Sequence, residues 1–524
     1  MENTLVSLRS FSDIFLKKYC NSKNFYRFLV AYGVYKAIYL AFFDPLRKVP
    51  GPWWSRFTVI PYAISRINGE NARYSEKLHN EYGPVVRVAP TQVSISNLKD
   101  IKNVLASYRY PKSAEYDAII LKEPNVLTTT DEPRNRMRRR QIGPAFTFTG
   151  LETVEELILD TGTRSFKKKL IEIIENGDGV GEFNSFNFFQ SIASDVIGLL
   201  TFGKSFGAVQ NDGHSVATNV NGALQFSTII RAYPALKPFG LLFPKLLSER
   251  NALRQMCLEA IKQRKNDIEN GVYDSSRIDI LQMLITSINS TNKKNLTNDE
   301  LVPEMVIMMV AGIDTTSVTM TWLLFIYMVY PDVYAKVKDE IRTTFPDRSQ
   351  TIKYQEVRSK CPYFMATLYE CMRIKAAVNG VMFRRNATDG IELSGYTIPK
   401  GVDMGVYTDG AHFDTTVWEK PESFMPERFM GPDGDTLKKN VVAFSYGVRI
   451  CLGRNLAWME MLTVIPNLLR DFECKLPADS KYGPHVLDPT RNNEPLLLED
   501  KTFATRVPQN IKDDCRIIVT LRAD

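Results

Sequence analysis

Phe444-Ser445-Tyr446-Gly447-Val448-Arg449-Ile450-Cys451-Leu452-Gly453 is the stretch on which the reading of this chain turns. It surrounds one thiol with two glycines, an arginine and a phenylalanine, and a helical run, Asn455 to Leu462, follows at once. A free thiol has a pKa near ~8.5, so a cysteine that acts as an anion needs help. The first turn of a helix supplies it through unpaired N–H groups and the positive end of its dipole. Gly447 and Gly453 permit backbone conformations and close approaches that a Cβ blocks. Arg449 carries a rigid fork of donors suited to a carboxylate. The plainer alternative is a buried structural cysteine on a glycine-containing turn.

Further segments stand upstream in a fixed order. Ala311-Gly312-Ile313-Asp314-Thr315-Thr316 lies within an apolar stretch, Leu301 to Tyr330, that only Glu304 and Asp314 interrupt with charge. Pro303 fits the first turn of a helix and Pro331 its end. About thirty residues at ~1.5 Å rise span ~45 Å. Hydropathy alone allows a transmembrane helix, but an Asp-Thr-Thr cluster at the centre is costly in lipid and marks function. Glu370 and Arg373 share one face of a helix, and Pro426-Glu427-Arg428-Phe429 lies between them and Cys451. Asn135-Arg136-Met137-Arg138-Arg139-Arg140 precedes Gly143-Pro144-Ala145-Phe146. Taken alone, such a run reads as a solvated or nucleic-acid-binding patch.

Together these segments resemble the cytochrome P-450 superfamily. The thiolate loop F-x-x-G-x-R-x-C-x-G continues as L-A-x-x-E at Leu456, Ala457 and Glu460, and the oxygen-activating, E-x-x-R and P-x-R-F motifs precede it in the family's order. The resemblance implies a mainly α fold with a smaller β-rich region, enclosing a buried haem b. It makes Cys451 the axial thiolate of the haem iron, a ligand that favours O–O cleavage. Phe444 becomes an apolar cover near the sulfur, and Gly447 and Gly453 shape the loop. Ala311 and Gly312 leave room for dioxygen and substrate, while Thr315 and Asp314 manage protons in a dry site. Arg139, Arg384 and Arg449 anchor the propionates. Asn135 stands where an aromatic or histidine is usual, and Phe383 where a proline usually precedes Arg384. Glu370, Arg373 and Arg428 form a structural ion network. Val378, Asn379 and Gly380 line the substrate pocket, and Phe503, in the turn Thr502 to Thr505, covers it from the C-terminal side.

The reaction so implied is monooxygenation of a lipophilic small molecule, of the kind made in fungal secondary metabolism. Electrons come from NADPH through NADPH-cytochrome P-450 reductase, because the chain contains no flavin or ferredoxin module. Arg87-Val88-Ala89-Pro90 and Pro144-Ala145-Phe146 are most like fungal microsomal members, which sit in the endoplasmic reticulum membrane facing the cytosol. Two alternatives stand beside this: a haem-thiolate isomerase or dehydratase, and a non-catalytic haem-binding sensor. Neither needs the Asp314-Thr315 pair.

Composition sets looser bounds. The chain has 524 residues and a net charge of +7, enough for a large core and a mild attraction to acidic partners or an anionic membrane surface. Seven cysteines with no paired spacing fit a reducing compartment, and four scattered histidines make a His-rich metal site a poor fit. Residues 1–48 read as a membrane-anchoring segment and 49–524 as one catalytic domain. Phe25 to Phe43 is apolar and aromatic but carries Arg27 and Lys36. Leu5, Leu8, Phe11 and Phe15 have the spacing of an interfacial helix. Pro50-Gly51-Pro52 resembles the family's hinge. Tyr233 to Leu247 is either a loop dipping into the membrane near a substrate entrance or ordinary helix-loop core.

Overall fold

The computed structural model describes residues 22–272, 279–288 and 295–523. The expected interfacial helix through Leu5 and Phe15 lies outside them. Helices dominate, and five small sheets sit among them.

The axis of the molecule is the helix Asn298–Val329. It is the one described helix long and apolar enough to cross a membrane, yet it is buried along most of its length as the central helix of a protein core. It starts one turn before the expected Leu301. Thr297 caps it, and the Glu300 carboxylate reaches back to the Thr297 N–H at 3.0 Å, closing a capping box. Pro303 therefore lies inside the helix rather than in its first turn. Its carbonyl is taken up from outside, by the Asn125 Nδ2 at 3.2 Å.

Ser185–Phe202 packs most extensively on this axis, and Ser215–Ala232, Pro244–Glu269, Pro362–Ile374 and Arg454–Asp471 are among the other helices that touch it. The first contact gives Gly312 a packing role as well. A Cβ on Gly312 would lie 2.8 Å from both Cδ1 and Cγ1 of Ile197, so close approach of the two helices needs this glycine. Ala311 is exposed in the middle of a buried helix and Gly312 keeps part of its surface, while the direction its Cβ would take is filled by Ile197. Helical geometry explains the split, since successive residues point about 100° apart.

The β region frames the opposite end. Val85–Ala89 pairs antiparallel with Gln92–Ile95, which runs parallel to Asp403–Val406, and Met382–Arg385 closes this four-stranded sheet. Arg516–Leu521 is the middle strand of a second sheet, between Gly181–Asn184 and Phe472–Lys475. A hairpin of Asp500–Thr502 and Arg506–Pro508 turns at Phe503 to Thr505.

The N-terminal helix Ser22–Ile38 exposes Tyr26, Val30, Tyr32, Val34, Tyr35 and Ile38, and the following turn exposes Phe42 and Phe43. The segment after it is stitched to the first strand. Asp44 and Arg87 form a buried ion pair, and the Arg87 N–H donates to Pro50 O at 2.7 Å. A Cβ on Gly51 would come within 2.4 Å of the Arg87 carbonyl, so only glycine fits that approach.

The Gly312 assignment has a direct test. Gly312→Ala overpacks against Ile197, and Ile197→Ala opens the space again. The double variant is expected to be more stable than the two single losses added together, by about 0.5–3 kcal/mol in denaturant unfolding. Strict additivity would place the Gly312 face elsewhere.

Candidate functional site

The cysteine loop is held by its own backbone. The Cys451 N–H donates to Phe444 O at 2.9 Å, and the Ser445 N–H to Val442 O at 2.8 Å. Gly447 has a φ of +66°, and a Cβ there would strike Leu105 O at 2.4 Å, so both conformation and space demand glycine. Gly453 is different. Its φ is −80°, and a Cβ would meet nothing within 4 Å. The protein itself does not require glycine at that position; the open side lies next to the sulfur.

Among the described cysteines, Cys451 is exposed and Cys257, Cys361, Cys371, Cys474 and Cys515 are buried. That exposure is to the interior, because the surroundings are dense enough for burial to push its thiol up. Opposing this are the N–H groups of Gly453 and Arg454, at the start of the helix Arg454–Asp471, and the charges of Arg139 and Arg454. The Arg139 Nη2 donates to Ile450 O at 3.0 Å, which places this arginine against the cysteine loop. The Phe444 ring lies 6.3 Å from that of Trp458, on the same side.

On the central helix, Ala311 is exposed and Thr315 half-buried. The Thr315 hydroxyl donates to Ala311 O at 2.7 Å, bending back along its own helix. Asp314 points away and is buried. It accepts from the Gln190 Nε2 at 3.1 Å and from the Thr505 hydroxyl, and burial raises its pKa against both bonds. Thr316 bonds Glu460 on the cysteine helix, which ties the two helices together. Glu460 is itself buried with its Oε2 unpartnered, and burial pushes its pKa up to about 8.

At the edge of this space cations gather. The Arg449 Nε and Nη2 clasp Glu132 at 3.0 and 2.9 Å, Nη2 also donates to Thr129 O, and Nη1 has no partner. Arg384 is 5% exposed and pairs with no carboxylate; burial lowers its pKa. Lys112 was not found in the sequence. Strand-like bridging brings it beside Arg384, its ammonium stands 4.5 Å over the Tyr116 ring, and it donates to Leu127 O. Burial, then Arg384, Arg449 and Arg231, hold its pKa well below the usual lysine range. No sequence signal marks it, since one lysine between Pro111 and Ser113 reads as a solvated loop residue. Asn135 is buried and donates to Val126 O at 2.7 Å, with its Oδ1 unpartnered.

Beneath the loop lies a buried ion cluster. The Arg373 Nε and Nη2 both donate to Glu370 at 2.8 Å, and the Arg428 Nε joins at 3.1 Å. On the substrate side, Asn379 is buried between Asp409, to which it donates, and the Thr502 hydroxyl, from which it accepts. Its polar atoms are therefore turned to the frame of the wall. Val378 and Gly380 are half-buried beside it, and the Phe503 ring packs over Gly69.

The arrangement sets an accessible thiol at the start of a helix, a hydroxyl on the central helix, and a group of buried basic side chains. Known proteins match this chain along most of its length. The profile of the family "Cytochrome P450" covers residues 48–495. Cytochrome P450 monooxygenase helB1 of Aspergillus fumigatus is 31% identical over 93% of this chain and 84% of its own. The helB2 protein of the same fungus is 31% identical over 91% and 95%. Cytochrome P450 monooxygenase LUC2 of a Fusarium species is 25% identical over 82% and 84%.

Glu460 gives a pH prediction. The folded protein keeps this proton up to about pH 8, whereas the unfolded chain releases it near ~4.3. Stability from this group is thus full below ~4.3 and is lost as pH rises through the folded value. Glu460→Gln removes the titration. Between pH 5 and 8 the variant is expected to gain on the wild type by at most about 1.4 kcal/mol per pH unit. A difference that stays constant across that range in thermal melts counts against a raised Glu460.

Proposed function

The chain belongs to the cytochrome P450 family, and we propose that it is a membrane-anchored member whose electrons come from NADPH through NADPH-cytochrome P450 reductase. It is a haem-thiolate monooxygenase, and the family draws electrons from a redox partner and acts on lipophilic substrates. Neither an isomerase nor a sensor is favoured, since its relatives are monooxygenases. The residues present fit haem b: an interior thiol, an open side at Gly453, and three buried cations sharing one carboxylate. This charge surplus carries the reading, because buried cations without anions are costly and the two propionates of a haem relieve that cost. When bound, the haem activates dioxygen, one atom entering the substrate and the other leaving as water.

The residues of the chain divide the remaining work. Cys451 holds the iron through its sulfur. The N–H groups of Gly453 and Arg454 favour the anionic form of that sulfur against its burial. Arg384, Lys112 and the free Nη1 of Arg449 would take the propionates, whose negative charge would favour the charged form of Lys112. Arg139 steadies the loop through Ile450 O and adds positive charge beside the sulfur. Thr315 Oγ1 offers a proton on the distal side, and Ala311 leaves room there. Asp314 holds a proton behind it, shared with Thr505 and Gln190. Val378, Gly380 and Phe503 form the wall nearest the substrate. Glu370, Arg373 and Arg428 are structural.

The segment 1–48 anchors the protein. Its described part shows Tyr26, Tyr32, Tyr35, Phe42 and Phe43 to the outside, amphipathic and apolar rings of the kind that favour membrane interfaces. The endoplasmic reticulum with a cytosol-facing catalytic domain suits such an anchor and a reductase partner. Fungal secondary metabolism is the setting that relatives of this kind support.

Two outcomes test this reading. Reduced holoprotein under carbon monoxide is expected to give the red-shifted absorbance of thiolate ligation, and Cys451→Ser to lose it. An unshifted band in the wild type removes Cys451 from the iron. Thr315→Ala is expected to keep NADPH consumption with reconstituted reductase while product per NADPH falls by about 10²-fold or less, the lower range for a lost proton donor. Unchanged coupling removes Thr315 from proton delivery.

A further inference from the structure

A cavity of ≈ 260 Å³ opens under the segment Tyr233 to Leu247. That segment forms a 3₁₀ turn, Pro234–Leu242, between the helices Ser215–Ala232 and Pro244–Glu269. The cavity is smaller than the ~300–1,000 Å³ of a pocket that encloses a whole ligand, so it suits one end of a molecule. Its walls are apolar, with Ile119, Phe226, Ile230 and Leu247 among them, and outside it Phe239, Leu241 and Leu242 form an exposed apolar lip.

Two cations interrupt these walls, Lys237 and Arg250, and no carboxylate lines the cavity among the described residues. Arg250 is half-buried, its guanidinium 4.5 Å over the Phe226 ring, and its Nε is buried without a hydrogen-bond partner. It makes no ion pair in the described structure. The neighbouring Glu249 turns away, against Gly222 and within 3.9 Å of Lys245. Nearby Arg231, by contrast, is paired with Glu115 at 3.2 Å. A guanidinium held over a ring, partly stripped of water and given no anion, is a costly arrangement unless an anion arrives.

We infer that this cavity is a subsite that recognises the carboxylate of a lipophilic acid, with Arg250 and Lys237 gripping the acid while the apolar lip admits the hydrocarbon body. The inference rests on the monooxygenase reading and names its substrate class. Arg250 supplies a forked, charge-assisted contact, and Lys237, exposed at the rim, attracts the anion.

The test compares hexadecanoic acid, a diterpene resin acid and their methyl esters by equilibrium dialysis against holoenzyme in neutral-lipid nanodiscs. The acids are expected to bind about tenfold more tightly than their esters, the worth of one charge-assisted contact. The preference is expected to shrink to about twofold or less in Arg250→Met with Lys237→Met, where the apolar stems remain on Phe226 and the rim. Equal binding of acid and ester, no binding of either acid, or a preference that survives in the double variant overturns the subsite. If the double variant instead loses only its binding to vesicles containing phosphatidylserine, the two cations serve a lipid headgroup and the inference fails. The carbon monoxide band separates this from a failure of the monooxygenase reading, because Arg250 and Lys237 lie outside the cysteine loop and its cationic edge. A normal band with no acid preference sinks the subsite alone.

Discussion

One sulfur must stay anionic in a place where burial favours the neutral thiol. Burial is the largest influence on Cys451 and pushes it up. What opposes it is assembled from separate parts of the chain: two N–H groups at the start of Arg454–Asp471, and the guanidinium groups of Arg454 and Arg139. The dipole and free donors of a helix start act only within the first turn, so the cysteine has to sit directly before that helix. The sharp loop from Phe444 to Gly453 places it there, which is why Gly447 must adopt a φ of +66° against the Leu105 carbonyl. The iron ligand therefore depends on backbone geometry more than on any neighbouring side chain.

That geometry is fixed from below. Glu370 is fully buried, and so is Arg373, whose remaining donors reach the carbonyls of His412, Pro421 and Ser423. Arg428 adds the carbonyls of Glu419 and Lys420, and the Met425 N–H returns to Glu370. This cluster pins residues 412–428, an irregular stretch with little regular structure of its own. The His412 Nε2 then accepts the Val442 N–H at 2.9 Å, and burial holds that imidazole neutral with a pKa of about 3, as an acceptor requires. Val442 O in turn takes the Ser445 N–H at the head of the cysteine loop. Removing a member of a buried cluster leaves a charge unpaired at about 3–5 kcal/mol, and here the loss passes through His412 to the loop that carries the sulfur.

Much of this was legible in the sequence because it consists of local backbone demands. A glycine at a positive φ, a helix start after a cysteine, and a Glu and Arg on one helix face all leave fixed spacings. What escaped was tertiary. Lys112 is one cation in an unremarkable loop, and only its bridge to Arg384 brings it to the cationic edge. The motif marks Gly312 but not its packing against Ile197, because a motif records residue type and not the neighbour. Asn379 was read as pocket lining, yet Asp409 and Thr502 occupy its amide. Thr505 was placed in the right turn, but nothing local shows that its hydroxyl meets Asp314.

That last contact ties the C-terminal hairpin to the central helix. The hairpin Asp500–Pro508 is anchored at both ends. The Arg506 N–H donates to Ala377 O at 2.7 Å, Trp322 on the central helix donates to Arg506 O at 3.1 Å, and Thr502 donates to Asn379. Arg506 also pairs with buried Asp409. Between those anchors the turn carries both Phe503, against Gly69, and Thr505, whose hydroxyl meets the Asp314 carboxylate. Asp314 itself has no exposed surface to a ligand. Phe503 and the hydroxyl that engages Asp314 are therefore joined through three residues of backbone, and burial makes the proton of that acid harder to lose.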